Sequence, residues 1–309
     1  MSAKLLVVTG ATGNQGGSVI NSILRDPELS QKYKIRAVTR NSSSSKAKEL
    51  ALKGVEVVEG DLDDNESINS ALKGANVVFA VTLTNYDGDM SKEITQGKAL
   101  ADAAVYNGAE FIIFSTISSP SKISGGKYNK VAHFEAKYTV EKYIRSLPIR
   151  SAFYCPGSFY SNFTRVMRPI PTGDNEFAIR SVMAPDTVLP LVDIERDTGS
   201  FIGAILFDED KYNGQTIMGC SQLLSCSDMA KTISEVTGKQ VKYEQISEED
   251  LVQNLPPLLA DALREMFVFY REFGYAGPET IELSRQAQKL ARGKLHSLVE
   301  YLADYPLDL

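Results

Sequence analysis

Tryptophan is absent from the 309 residues, histidine occurs only as His133 and His296, and cysteine only as Cys155, Cys220 and Cys226. Two imidazoles and three thiols without C-x-x-C or other ligand spacing leave almost no material for a zinc site, so no metal is expected. An odd number of scattered cysteines does not compose a disulfide framework, and the thiols read as reduced structural groups. Nowhere does the chain carry the run of about 18 apolar residues that a membrane-spanning helix needs. No charged leader or small-residue cleavage site precedes the first apolar run. The expected location is therefore the cytoplasm, with the nucleus left open. Basic charge is not in excess: 33 Lys and Arg stand against 39 Asp and Glu, a net charge of −6. With no Lys/Arg-rich run either, nucleic acid is not expected as a direct ligand.

What the chain does have is alternation. Short apolar runs at 5–8, 35–38, 55–58, 77–81, 111–114 and 149–154 read as strands buried on both faces. Between them, helical spacing appears at 14–25, 46–52, 68–72, 92–106 and 134–145, and 115–126 is a Ser/Gly-rich loop. Strictly alternating units of this kind predict an α/β fold, a Rossmann-type doubly wound parallel sheet with right-handed crossovers. Beyond Cys155-Pro156-Gly157 the rhythm breaks at several prolines, and helical stretches follow at 198–206, 227–237, 250–273 and 287–309. The expected division is residues 1–155 as the nucleotide-binding domain and 156–309 as a smaller, mostly helical lobe that can share strands with the sheet.

Ligands of such sheets bind beyond the carboxyl ends of the strands. The first strand ends in Thr9-Gly10-Ala11-Thr12-Gly13-Asn14-Gln15-Gly16-Gly17. Gly10 suits the tight turn, Gly13 lets backbone N–H groups approach a pyrophosphate, and Gly16 lets the following helix pack close. The strand–turn–helix context turns this glycine motif into a dinucleotide signature. The second strand ends in Thr39-Arg40-Asn41, with Arg40 where NAD-preferring folds place an acid. A guanidinium there pairs with a 2′-phosphate, so NADP(H) is the expected cofactor. Asp61 is a candidate acceptor for the adenine amino group, and Asp63 and Asp64 for capping the next helix. Thr82, after the fourth strand, borders the ribose and nicotinamide side.

The chain at this point resembles the NmrA-like family of the atypical short-chain dehydrogenase/reductase superfamily. The resemblance spans nearly the whole length. It rests on the glycine motif, Thr39-Arg40-Asn41, His133-Phe134-Glu135-Ala136-Lys137, Pro156-Gly157-Ser158-Phe159-Tyr160-Ser161-Asn162, the 191–199 segment and Tyr212-Asn213-Gly214. Reductases of the superfamily use Tyr-x-x-x-Lys on the helix after strand five. Tyr138 and Lys142 match that pattern literally, yet Lys137 followed by Glu141 fits the superfamily's lysine better, which puts His133 in the tyrosine position. The resemblance thus implies His133, Lys137 and Ser115 as candidate catalytic residues, with Thr116 an alternative to Ser115. Lys137 and Ser115 also belong to the expected cofactor set, together with Tyr154, Pro156, Ser158 and Phe159 around the end of strand six. The aromatic residues Phe159 and Tyr160 suit a nicotinamide floor and a core role equally.

Two functions follow as expectations. One is a redox-sensing regulator whose association with a protein partner depends on cofactor state. The other is an NADPH-dependent reductase of quinones or small carbonyl compounds, in which the imidazole of His133 could protonate a substrate near neutral pH. Substrate, partner and oligomeric state are not legible.

Overall fold

The apolar runs become strands of one sheet, all inside it except 55–58, which lies at an edge. In the computed structural model, which describes residues 3–84, 89–253 and 255–309, the first half alternates as expected. Its elements are β1 (Lys4–Val8), α1 (Asn14–Arg25), α2 (Leu29–Lys32), β2 (Tyr33–Thr39), α3 (Ser45–Leu52), β3 (Glu56–Glu59), α4 (Asn65–Ala71), β4 (Val77–Ala80), α5 (Ser91–Tyr106), β5 (Phe111–Ser115), α6 (Pro120–Ile123), α7 (Ala132–Ser146) and β6 (Arg150–Pro156). The one-turn helix α6 lies inside the segment expected as loop, with Ser119 as its cap and Pro120 at its first position.

Beyond residue 156 come β7 (Ser158–Phe159), β8 (Ile170–Gly173), β9 (Glu176–Ser181), β10 (Val188–Val192), α8 (Thr198–Phe207), α9 (Glu209–Tyr212), β11 (Thr216–Gly219), β12 (Gln222–Ser225), α10 (Cys226–Thr237), β13 (Gln240–Gln245), α11 (Glu248–Gln253), α12 (Pro257–Phe273), α13 (Thr280–Leu290) and α14 (Leu298–Asp304). The large sheet runs β11-β6-β5-β4-β1-β2-β3, every neighbouring pair parallel. Two three-stranded sheets, β12-β10-β7 and β13-β9-β8, accompany the helices of the second half. These short strands were hidden by prolines and by alternation too brief to read.

Period-two alternation distributes each inner strand between two cores. Leu6 and Val8 of β1, Phe79 of β4 and Ile113 of β5 pack with α1 and α8. Val7, Val78, Ala80, Ile112 and Phe114 face the other way, toward α4, α5 and α7. A third core fills the second half around Phe163, Met229, Phe267 and Phe269. The second half is tied to the first where α8 crosses α1. A Cβ on Gly199 would lie 2.3 Å from the Ser18 carbonyl oxygen, and the Gly199 N–H donates to Ser18 Oγ at 3.0 Å.

Two expected helices are interrupted. The stretch 250–273 breaks at Pro256-Pro257, which restarts the chain as α12. The stretch 287–309 is not continuous either, because Gly293 takes φ +119° and Ser297 opens α14 with a capping box to Glu300. The intervening loop is pinned by Asp197, fully buried, which accepts from His296 N at 2.9 Å and Ser221 Oγ at 2.5 Å and contacts His296 Nδ1 at 2.5 Å. Among the described residues no helix is long and apolar enough to cross a membrane.

Candidate dinucleotide-binding cleft

The chain leaves β1 for β2 on one side and, later, for β4 on the other, so the switch point lies beyond the carboxyl ends of β1 and β4. Thr9 closes this end. Its Oγ1 donates toward Phe79 O and accepts from Val81 N at 3.0 Å, and its side chain is buried. Thr9 thus clips the two strands together, and its side chain does not face the cleft. Gly10 turns the chain with φ +59°, a left-handed conformation that glycine adopts without strain. Gly13 stands before α1 without a side-chain cap, and no acid occupies the first turn of that helix. The positive end of the α1 dipole is therefore left to an anion, and the glycine backbone lets one approach. These features fit a pyrophosphate.

At the end of β2, Thr12 Oγ1 lies 3.4 Å from Thr39 Oγ1, which rests the glycine turn on that strand. Arg40 follows, exposed. The nearby Glu59 carboxylate is engaged by the Ser42 hydroxyl at 2.7 Å and the Ser42 N–H at 3.2 Å. Asp61 accepts from Asp63 N at 3.1 Å. Asp64, not Asp63, caps α4 through Glu66 N and Ser67 N. Asp63 instead pairs with Lys92 at 2.9 Å and accepts from Gln96 at 2.7 Å. Lys92, Gln96 and the field of Arg40 together hold its carboxyl below the usual range. Arg40 and Lys92 thus bring two cations to this rim.

Deeper in the cleft, Gln15 on α1 reaches across to β5, where Ser115 Oγ donates to its Oε1 at 2.7 Å. Thr116 is turned elsewhere, donating to Glu141 at 2.7 Å, and Glu141 pairs with Arg145. Glu141, whose spacing marks Lys137 as the superfamily's lysine, is thus turned away from it. Lys137 Nζ lies 2.6 Å from Glu93 Oε1, 3.0 Å from Thr82 Oγ1 and 3.2 Å from Thr82 O. His133, one turn earlier on α7, is held neutral: burial, then the charge of Lys137, push its pKa down to about 4. Burial thus works against the expectation that this imidazole protonates a substrate near neutral pH. Tyr138 and Lys142 lie on the other side of the helix, where the Lys142 and Lys122 ammonium groups sit 5.0 and 5.3 Å from the tyrosine ring centroid.

Around the end of β6, the Pro156 carbonyl accepts from the Tyr275 hydroxyl at 3.0 Å. The Ser158 hydroxyl is buried and accepts from Asn162 Nδ2 at 3.2 Å. Phe159 is half-buried, its ring packed against the core under α1. Tyr160 is fully buried and donates to His296 O at 3.0 Å, a core placement. Tyr154 also needs correction as a cofactor residue. It is fully buried, stacked on Phe201 and seated over Gly219, because its place in the strand alternation points it into the core beneath α8.

A model of the NmrA-like family matches residues 2–302. The chain belongs to the NmrA-like family. An NmrA-like family domain-containing protein of Dictyostelium discoideum is 31% identical over 322 residues, covering 100% of both chains. The NmrA-like family domain-containing oxidoreductase FrzB of a Cladobotryum species is 30% identical over 308 residues, covering 92% of this chain and 89% of that protein. Among solved structures, NmrA, a negative transcriptional regulator in complex with NADP, superposes with a TM-score of 0.81 at 26% identity over 100% of this chain and 99% of that one.

Within this NmrA-like cleft, sequence reading missed Glu93. It sits in the first turn of α5 and only 2% of it is exposed. The available signal was Gly97, one turn on: a Cβ there would lie 2.6 Å from Val140 Cγ2, so α5 and α7 are packed too closely for any side chain. An open cavity of about 580 Å³ lies elsewhere, between the carboxyl end of α1 and the 292–296 loop. Its Arg196, Arg292 and Lys294 are each ion-paired with carboxylates. The three buried thiols are raised by burial to about 11 for Cys155 and Cys226 and about 12 for Cys220, so they stay protonated.

Proposed function

We propose that this chain binds NADP(H) in the cleft between β1 and β4 and acts as a redox-sensing regulator, its affinity for a protein partner set by cofactor state. In this reading the uncapped start of α1 and the Gly10–Gly16 turn take the pyrophosphate. Arg40 takes the 2′-phosphate, and Lys137, Ser115 and Thr82 border the nicotinamide ribose. The observation that carries the regulatory reading is position 133. A neutral imidazole with a pKa near 4 stands where the superfamily's reductases keep a tyrosine acid, so His133 supplies no proton of neutral-range acidity. The likeness to a transcriptional regulator solved with NADP supports it. The cytoplasm is the compartment this reading assumes.

A second reading is an NADPH-dependent reductase of quinones or other easily reduced carbonyl compounds. The kinship with an oxidoreductase favours it. Bound NADPH would supply a hydride, and such acceptors need orientation more than acid assistance. Calorimetric titration of the cofactor-free protein with NADP+, NADPH and NAD+ separates the readings. A sensor requires a clear difference between NADP+ and NADPH, since a ligand shifts an equilibrium only by its differential affinity. A difference accompanied by cofactor-dependent capture of a partner supports the regulator. Equal affinities with NADPH consumed by a quinone panel would transfer the assignment to the reductase.

A further inference from the structure

Among the described residues, Lys137 is the one cation buried in the cleft, and its surroundings form a closed set. Thr82 Oγ1 donates to Glu93 Oε1 at 2.7 Å, while Lys137 donates to that same Oε1, to Thr82 Oγ1 and to the Thr82 carbonyl. An ammonium has three N–H donors. All three have an acceptor in this cluster, and each acceptor comes from the end of β4 or from α5. The ion pair is nearly dry, with side-chain exposures of 13% for Lys137 and 2% for Glu93. Loss of the proton from Lys137 would leave the Glu93 carboxylate buried without a counter-charge, a costly state.

The groups facing Lys137 can be named from every side. Glu93 approaches from α5 and Thr82 from the strand end. His133 stands one turn back on its own helix, and Glu141, one turn ahead, is committed to Thr116 and Arg145. Among the described residues, Glu93 is thus the only carboxylate paired with the ammonium. Gly97 against Val140 and the Tyr143–Asp102 hydrogen bond of 2.6 Å, lower on the same seam, keep α5 close enough for the contact.

We propose that Glu93 is the positioning residue for Lys137: it pins the ammonium to the end of β4 as a fixed cation, so that Lys137 acts on the cofactor by its charge and not as a proton-transfer base. This rests on the NADP(H) reading above for its ligand, but not for the ion pair itself. Burial pulls the Lys137 ammonium below its ordinary value and Glu93 pulls it back. Glu93→Gln keeps the shape and an acceptor oxygen while removing the counter-charge.

The decisive experiment reads the charge of Lys137 directly, without cofactor. Protein carrying ¹⁵N-lysine is titrated and the Lys137 ammonium resonance, assigned by its loss in Lys137→Arg, is followed in the wild type and in E93Q. The expected result is a midpoint lower by about one pH unit or more in E93Q. Equal midpoints overturn the proposal. In parallel, NADPH affinity is measured by calorimetry across pH. The E93Q affinity should fall about tenfold per pH unit above its lowered midpoint, while the wild type stays level over the same range. A loss in E93Q that is the same at every pH means that Glu93 only packs, and also overturns the proposal. Should the wild type fail to bind NADPH at all, the cofactor reading falls while the ammonium titration still decides the role of Glu93. If E93Q does not fold, Glu93→Asp is titrated instead. The shorter carboxylate withdraws from the ammonium, so the midpoint should fall below that of the wild type; an unchanged midpoint would overturn the assignment to Glu93.

Discussion

A Cβ placed on Gly16 would lie 2.4 Å from the carbonyl oxygen of Gly10 and 2.7 Å from its carbonyl carbon. Both neighbours are backbone, so neither can rotate away. The start of α1 is therefore held against the turn that leaves β1, and this contact aims the helix N-terminus across the cleft. Gly16→Ala should destabilise the fold by ~1–3 kcal/mol through overpacking and weaken NADPH binding more than that loss explains. Denaturant melts paired with calorimetry check this. Unchanged NADPH affinity in a folded Gly16→Ala protein would remove the turn from the proposed site.

Arg40 is exposed, so its pairing with a 2′-phosphate is open to salt. Arg40→Ala should weaken NADPH by ~1.5 kcal/mol, about tenfold in Kd, and leave NADH nearly unchanged. Raising the ionic strength should shrink the gap. Equal weakening of NADPH and NADH would withdraw the cofactor preference.

The folded value of His133, about 4, lies below the ordinary 6.5. Between those values the unfolded chain takes up a proton that the folded chain refuses. The resulting stability is complete above about pH 6.5 and declines as the pH falls toward 4. Urea melts of the wild type and His133→Gln should therefore converge with acidification, the variant having the shallower decline. Any reductase activity should show no inflection from His133 between about pH 6 and pH 8. An inflection in that window that vanishes in His133→Gln would restore the imidazole as an acid.

Tyr138→Phe and Lys142→Ala test the pattern that sequence alone makes attractive. With the Tyr138 ring lying beside the Lys142 and Lys122 ammonium groups on the outer side of α7, each change should move stability by less than about 0.5 kcal/mol. NADPH affinity should not change. A tenfold loss in either variant would mean that the catalytic frame has been placed on the wrong residues.

Much of this was legible because it is local. The first six strands show as runs of apolar residues, and the glycine turn follows from spacing. Arg40 is simply the residue that ends β2. Where the sequence misled, a contact between distant segments had the decision. Nothing in the spacing on α7 pointed to Glu93 on α5 as the partner of Lys137. Tyr154 stands near a strand end where a cofactor residue is expected, but the direction of its side chain depends on alternation through the whole of β6 and on α8 covering that face. The helix expected at 287–309 yields to Gly293 and to the anchoring of His296 on Asp197, a residue nearly a hundred positions earlier.

By itself, then, the sequence determined the parallel sheet, the glycine turn and the family, since each is written in short-range pattern or in the order of elements. Only the tertiary structure decided what surrounds Lys137 and His133. A lysine's neighbours are set by how closely α5 can approach α7, which turns on Gly97 fitting against Val140. An imidazole's proton is set by burial and by the charge one turn away. Both are properties of a packed, low-dielectric interior, where a few ångströms decide whether a charge has a partner.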